Sequence, residues 1–255
     1  MVVGMCLFIL LAWGGTVAAQ QAVEPSVYIP DLRSVLPAAK DATGMSSAVQ
    51  ILLLLTILSL APAILVMVTS FTRIIVVLAL LRQALATQQL PPNQVLVGLA
   101  LFMTFMIMAP TWSRIQTDAV TPYLNNEIGQ SEAFNRALVP IREFMIRQIE
   151  RSGNEEDVFL FASRAGQADI AKWGDVNTSV LVPSFITSEL KTAFIIGFRV
   201  YLPFLVIDMV IASVVISMGM LMLPPMLISM PFKLLLFVLV DGWHLVVGSL
   251  IYSFA

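Results

Sequence analysis

Charged residues and cysteine are scarce in this chain of 255 residues, and each scarcity excludes a class of protein. Only 12% of the residues are charged, whereas about 25% is usual for a soluble domain. Hydrophobic residues make up 58% and the mean hydropathy is +0.90, so an ordinary water-soluble monomer could not bury its apolar surface. The single cysteine, Cys6, excludes an internal disulfide and a cysteine metal cluster. The net charge of -2 argues against a nucleic-acid-binding protein, which needs a basic face.

Motifs for catalysis and cofactor binding are also missing from the sequence. It contains no nucleophile–base triad, no phosphate-binding glycine loop and no cluster of metal-ligating residues. We therefore predict a membrane or membrane-assembly protein that is not an enzyme and that has no catalytic, cofactor-binding or metal site.

The first 19 residues have the pattern of a secretory signal peptide. Residues 5–13 form an apolar run that is too short to cross about 30 Å of hydrocarbon. Small side chains at 17–19 (Val, Ala, Ala) then precede polar Gln20, as signal peptidase requires. No lysine or arginine precedes the run, so an uncleaved anchor is the alternative. We expect cleavage after Ala19, which would leave residues 20–48 as an extracytoplasmic tail.

The remaining sequence divides into two apolar hairpins and a more polar insert. We predict a first hydrophobic helical hairpin at 49–112, a periplasmic-side helical insert at 113–189, and a second hydrophobic hairpin at 190–255. Proline pairs at 91–92 and 224–225 mark the hairpin turns. The predicted fold is therefore all-α, with four long hydrophobic helices in membrane-associated hairpins and an extramembrane amphipathic insert.

Within the insert, apolar residues recur at three- and four-residue steps from Phe134 to Ile149, which predicts one amphipathic helix. A second helix is expected to begin at Asn154, because three acidic residues follow this good N-cap. The two helices pack either on each other or on neighbouring subunits. The 82–94 loop carries Arg82 and no acid, whereas the insert is acidic, so the insert is expected outside the cytoplasm.

Several polar residues lie inside the apolar stretches, where a charge costs a few kcal/mol and faces protein or water. The first stretch, 51–81, would be about 46 Å long as one helix, longer than the roughly 30 Å hydrocarbon core of a bilayer. We expect these helices to face other subunits or a conduit more than lipid. The residues expected to be buried and polar are Arg73, Asp208, Asp241 and His244.

Glu189 stands at the start of the third apolar stretch and needs a cationic partner, because an unpaired buried charge costs several kcal/mol. Arg151 and Lys233 are the candidate partners, and the pair is expected to cross a subunit boundary.

Asp241 and His244 are three residues apart and could share a helix face as a proton-relay pair. The alternative is a histidine that is simply hydrogen-bonded to its neighbour. A small-solute or ion transporter that uses Asp208, Asp241 and His244 is the rival function. Such transporters usually contain two related halves, and this sequence has no internal repeat.

Five of the 14 methionines lie between 218 and 230, beside Gly219 and a proline pair. This pattern indicates an apolar loop at a hairpin tip, since the unbranched methionine side chain can fill an irregular gap and repack. A buried methionine-rich turn is the alternative.

From about residue 51 to the C-terminus the sequence resembles the FliP family of type III secretion export gates, through several motifs in a fixed order. The motifs are Ser-Phe-Thr-Arg-Ile-Ile at 70–75, Leu-Arg-Gln-Ala-Leu at 81–85, Pro-Pro-Asn-Gln-Val at 91–95, Thr-Ser-Glu-Leu-Lys-Thr-Ala-Phe at 187–194, Pro-Phe-Leu at 203–205, Pro-Phe-Lys-Leu at 231–234 and Asp-Gly-Trp at 241–243.

The resemblance implies a core subunit of a flagellar export gate in the bacterial inner membrane and flagellar basal body. It implies a pentamer that assembles with FliQ-like and FliR-like subunits and with FlhA/FlhB-like export components. Together they would form a conduit for unfolded flagellar proteins. A methionine gasket closes this conduit in the family, and the matching residues are Met220, Leu221 and Met222. Leu221 departs from the family's run, which is often all methionine.

Overall fold

The structure is a computed structural model that describes residues 47–87, 90–167, 172–219 and 224–255. The regular elements in these ranges are helices, and no strand occurs among them, which confirms the all-α prediction. The N-terminal half contains α1 Ser47–Met67, α2 Phe71–Ala84 and α3 Asn93–Ile115, which continues through a π-helical turn, Gln116–Val120, into α4 Thr121–Leu124. The remainder contains α5 Gln130–Ser152, α6 Glu155–Arg164, a 3₁₀ turn Trp173–Asp175, α7 Thr178–Ser217, α8 Pro225–Leu239 and α9 Gly242–Tyr252.

The first apolar stretch is two helices instead of one, and α1 meets α2 at a bend of 68°. The residues at the break, 68–70, are buried. Thr72 Oγ1 donates to the carbonyl oxygen of Val66 at 3.1 Å, which satisfies an acceptor freed where α1 ends. The bend resolves the excess length of the 51–81 stretch, because neither helix alone overshoots a bilayer.

A second bend of 66° separates α8 from α9 at the Asp241-Gly242 pair. Asp241 has a left-handed backbone, with φ of 51°. A Cβ added to Gly242 would overlap the ring of Phe237, which also packs edge-on against Trp243 at 5.5 Å between ring centroids. Glycine at 242 therefore lets the chain turn closely around an aromatic ring.

The centre of the fold is α7, against which α2, α5, α6 and α8 all pack. Leu53–Ala255 form one compact unit, and the tertiary contacts described here lie within it. Helices α2 and α7 run parallel, because Arg73 contacts Glu189 and Leu80 lies against Gly197 farther along both helices. A Cβ at position 197 would overlap the Leu80 side chain, so glycine allows these two helices to approach closely.

The two insert helices pack on α7 of the same chain, a contact that was not expected from the sequence. Phe144 of α5 packs edge-on against Phe185 of α7, with 6.0 Å between ring centroids. Val158 and Ala162 of α6 are buried, whereas Phe134, the first residue of the predicted apolar stripe, is exposed. The predicted boundary at 189/190 lies within α7, and the one at 112/113 lies within α3.

Two helical stretches are each long and apolar enough to cross a membrane: Asn93–Leu124, with 32 residues, and Thr178–Ser217, with 40. The two bent pairs, Ile51–Met67 with Phe71–Ala84 and Pro225–Leu239 with Gly242–Tyr252, pass the same criterion jointly. The described residues thus hold two to four candidate spans, in agreement with the predicted membrane-associated helices.

Candidate functional site

A buried arginine, Arg73, joins four parts of the chain near the start of α2. Its Nε donates to Glu189 Oε2 at 2.9 Å, and its Nη2 donates to Oε1 of the same carboxylate. Nη1 donates to the carbonyl oxygen and the hydroxyl of Ser253 at 2.9 and 3.0 Å, and Nη2 also donates to Gln148 Oε1 at 3.3 Å. All five N–H donors of the guanidinium therefore have acceptors. We call Arg73, Glu189, Gln148 and Ser253 the Arg73 centre.

The Arg73 centre is closed to solvent. Arg73 is 1% exposed and Glu189 is fully buried. The ring of Phe254 covers the guanidinium, with 3.9 Å between Arg73 Cζ and the ring centroid. A bidentate arginine–carboxylate pair combines charge with fixed geometry, so it sets the position of each attached helix as well as holding it. The centre therefore fastens the insert helix α5 and the chain end after α9 to the α2–α7 pair.

This geometry corrects the expected partners of Glu189. The sequence favours Arg151 or Lys233 across a subunit boundary, whereas the partner in the structure is Arg73 of the same chain. Helical periodicity assigns a residue to a face but does not say which helices lie side by side, and Arg73 meets Glu189 only because α2 packs parallel to α7. Arg151 is exposed and donates through Nη1 to the carbonyl oxygen of Phe254 at 2.7 Å.

A second ion pair, which we call the Asp208 centre, lies at the other end of α2. Lys233 Nζ donates to Asp208 Oδ2 at 2.6 Å and to the carbonyl oxygen of Ala84 at 3.2 Å. Ser229 Oγ donates to Asp208 Oδ1. The lysine side chain is 1% exposed and the aspartate 27%. The centre joins α7 and α8 to the last residue of α2, so Lys233 already has a partner within the chain.

The four residues predicted to be buried and polar divide into two groups. Arg73 is buried and Asp208 is half-buried, whereas Asp241 and His244 are exposed on the single chain, so their burial against other subunits stays a prediction. The bend at Asp241 ends α8 and leaves both side chains on the outer surface. Among the described residues, no hydrogen bond or ion pair joins Asp241 to His244, or either of them to Asp208. The arrangement thus lacks the geometry of a proton relay.

The predicted gasket residues Met220, Leu221 and Met222 lie outside the described residues. The flanking structure is described on both sides. Gly219 follows α7 with a φ of 73°, and Pro225 begins α8. The two helices are antiparallel, since Ser229 reaches Asp208 and Phe237 packs on Phe204 at 6.3 Å between ring centroids. The helices on either side of 220–223 are therefore antiparallel.

Gln148, Ser253 and Ser229 contribute to the two centres and were not singled out from the sequence. They are neutral and lie on amphipathic or apolar helices, where a single polar residue gives no signal of its own. The sequence did indicate that counter-charges are needed, because Arg73, Asp208 and Lys233 interrupt apolar stretches and each needs an opposite charge.

Both centres act by holding helices together. The cations are in ion pairs, and the described residues contain no group of three or more His, Cys, Asp or Glu side chains placed to hold a metal ion. The Arg73 centre joins α5 and the residues after α9 to the α2–α7 pair, and the Asp208 centre joins α8 to the same pair.

Comparison with known proteins gives one consistent result. The sequence profile described as "FliP family" matches residues 54–250. The chain is 53% identical over 216 residues to the "Flagellar biosynthetic protein FliP" of Bacillus subtilis (strain 168), which covers 85% of this chain and 96% of that protein. It is 51% identical over 218 residues to the protein of the same name from Pectobacterium carotovorum subsp. carotovorum, covering 86% and 83%. For Aquifex aeolicus (strain VF5) the identity is 48% over 211 residues, covering 83% and 87%.

Proposed function

Because the chain belongs to the FliP family, and is therefore a component of the flagellar export apparatus, we propose that it is a structural and gating subunit of the export gate. It would form part of the conduit that unfolded flagellar proteins enter, within the inner membrane and the flagellar basal body. The helices that are long enough to span a membrane fit this location.

The observation that supports a conduit-forming role is the exposure of charged and polar side chains on otherwise apolar helices. Arg199 is exposed within α7 and forms no hydrogen bond or ion pair with the described residues. Asp241 and His244 are exposed at the start of α9. Charges of this kind avoid hydrocarbon and face protein or water. Neighbouring subunits and a water-filled path would supply both environments.

We propose that the chain forms a homo-oligomer, a pentamer by family resemblance, with FliQ-like and FliR-like subunits and with FlhA/FlhB-like components nearby. Large apolar side chains are exposed on α1 and α7, for example Leu58 at 67% and Phe198 at 60%. The mass of the complex extracted in mild detergent tests this proposal. A multisubunit assembly is expected, and a monomer without partners would contradict it.

The gating role is assigned to Met220, Leu221 and Met222. Several copies around one axis would bring these apolar tips together into a constriction that closes by dewetting. Replacing all three by alanine should widen the constriction and leave the α7 and α8 frame intact. We expect normal assembly, raised ion conductance of the inner membrane and growth that is sensitive to external salt.

The control for the gasket experiment is Met226→Ala, which changes an exposed methionine near the start of α8 outside the proposed gasket. It should leave conductance unchanged. If the triple variant and the wild type have equal conductance in complexes of equal yield, these three residues do not seal the conduit.

The proposed location also needs a route to the membrane, and residues 1–19 are proposed as a cleaved signal peptide. The mature chain would then begin at Gln20. Intact-mass measurement of the purified protein tests this, and retention of residues 1–19 would contradict it.

A further inference from the structure

A cavity of about 670 Å³ lies between α3 and α5, beside the Arg73 centre. Thr111 of α3 and Gln148 of α5 line it, and each is 3% exposed. Gln148 Oε1 accepts from Arg73, but neither the amide nitrogen of Gln148 nor the hydroxyl of Thr111 has a hydrogen-bond partner among the described residues. Both residues line the cavity, so these two donors are available to an occupant that accepts hydrogen bonds.

The charge of the cavity wall indicates that the occupant is an anion. Arg147 and Arg151, one helical turn apart on α5, both line the cavity, and Glu150 is the one acidic residue in its wall. Arg147 has no hydrogen bond or ion pair with the described residues, and Arg151 uses one nitrogen, Nη1, to reach the carbonyl oxygen of Phe254. Arginine forks match the oxygens of phosphate and carboxylate groups.

The surface that leads away from the cavity is apolar. Phe102, Met106 and Pro110 follow one another at four-residue steps along α3, so they form one stripe on the helix. Pro110 lines the cavity, and Phe102 and Met106 are 79% and 55% exposed. No charged residue occurs in α3 before Arg114. An anion-binding cavity at the end of an exposed apolar stripe matches an amphiphile with a charged head and hydrocarbon tails.

We propose that this cavity binds the phosphate of an anionic phospholipid, whose acyl chains lie along the Phe102–Met106 stripe of α3. The position agrees with this occupant, because the cavity lies where an apolar candidate span meets the polar insert. The phosphate of a lipid headgroup is an oxygen-bearing anion of the kind that arginine forks bind. The inference rests on the membrane location proposed above and is independent of the export role.

The test is lipid binding to the detergent-solubilised complex, measured by native mass spectrometry with dioleoyl phosphatidylglycerol as the probe and dioleoyl phosphatidylcholine as the neutral comparison. We expect the anionic lipid to be retained more tightly. The double variant Arg147→Gln/Arg151→Gln should bind it about tenfold more weakly or worse, because one hydrogen bond to a charged group is worth about that factor. Thr111→Val, which removes the buried hydroxyl without changing side-chain shape, should weaken binding to a smaller extent.

The matched control is Arg136→Gln/Arg164→Gln, which removes two exposed arginines of the insert that do not line the cavity. It should retain wild-type binding of phosphatidylglycerol. Equal affinity for the two lipids, or equal losses in the two double variants, would overturn the proposal. Competition by millimolar inorganic phosphate would show a site for free phosphate instead. Loss of the oligomer in Arg147→Gln/Arg151→Gln, with lipid binding unchanged, would assign the arginines to an acidic side chain of a neighbouring subunit.

Lipid binding and secretion of flagellar proteins are measured in separate experiments. A complex that binds phosphatidylglycerol as expected but does not support secretion of flagellar proteins would contradict the proposed function and leave the lipid site in place.

Discussion

The Arg73 centre and the Asp208 centre both fasten α2 to α7, but they differ in how completely the charges are enclosed. In the first, the carboxylate is fully buried and every guanidinium donor has an acceptor. In the second, Lys233 is buried while the Asp208 side chain is 27% exposed. One ion pair is sealed inside protein, and the other is open to its surroundings on the carboxylate side.

This difference indicates at which end of the α2–α7 pair an ion pair can be lost without unfolding the chain. A sealed pair is strongly destabilised by the loss of one partner, because the remaining charge cannot reach water. A pair that is open on one side can replace part of a lost interaction with water or with a group from another subunit. The open centre lies toward the C-terminal end of α7, and the sealed centre lies at the insert end.

The largest effect is expected for Glu189→Ala, which breaks the sealed centre. It leaves the Arg73 guanidinium buried without a counter-charge and should lower the free energy of unfolding by about 3–5 kcal/mol. Thermal unfolding in detergent and the yield of the assembled complex measure this.

The double variant Arg73→Met/Glu189→Leu is the control for that prediction. It removes both charges and should recover part of the stability that Glu189→Ala loses, because apolar residues of similar volume often replace a buried ion pair without loss. If the double variant is less stable than the single one, the cost does not come from the orphaned charge.

A smaller loss is expected for Asp208→Asn at the open centre. The amide keeps a hydrogen-bond acceptor for Lys233 but removes the opposite charge, so we expect a loss of about 1–3 kcal/mol in the free energy of unfolding. The same thermal unfolding measurement applies. A loss as large as that of Glu189→Ala would remove the distinction between the two centres.

Next in size is Gly197→Ala, which tests the contact between the two centres. The new Cβ would press on the Leu80 side chain, which can shift, so we expect a loss of about 1 kcal/mol, at the low end for overpacking. Gly98→Ala is the matched control, since a Cβ there meets nothing within 4 Å in the middle of α3. It should be neutral or stabilising, because alanine favours helices. Equal effects at the two glycines would argue against close packing at Gly197.

The smallest effect is expected for Glu143→Gln at the exposed Arg114–Glu143 pair, whose carboxylate side chain is 42% exposed. The hydrogen bond from Arg114 holds the pKa of Glu143 below its usual value. The ionised pair therefore stabilises the fold at neutral pH, and this contribution is lost as the pH falls through the lowered pKa. We expect almost no change in melting temperature near pH 7, and none once the pH is below the lowered pKa, where the carboxyl is protonated in the folded and the unfolded chain alike. A clear loss of thermal stability at pH 7 would show that the exposed fraction of an ion pair does not determine how much the pair stabilises the fold.

The prediction from sequence was accurate for the positions of the apolar stretches and for the start of one insert helix. The apolar stretches became the candidate spans, and the α6 start at Asn154 was placed correctly, because both depend on residues that are near in sequence. Even there the detail differed: the Asn154 side chain does not cap α6, and its Nδ2 donates to Ser188 Oγ at 2.9 Å.

The pairing of charges could not be predicted, because it depends on which helices are neighbours. Arg73 and Glu189 are 116 residues apart, and no periodicity links them. The bend of 66° between α8 and α9, in a stretch that reads as one apolar helix, also could not be predicted from the sequence. The need for counter-charges was visible in the sequence, but their identity required the packing of α2 against α7.

The two attachments of α2 to α7 also have a mechanical consequence. A rod fastened at one point can swivel, whereas a rod fastened at two points can neither swivel nor slide. Arg73 and Ala84 are 11 residues apart, about 16 Å along α2. Displacement by one helical turn, about 5.4 Å, would break both attachments together. A sideways force on either helix would therefore move α2 and α7 as one body, and the two helices could change their relative position only if both attachments broke.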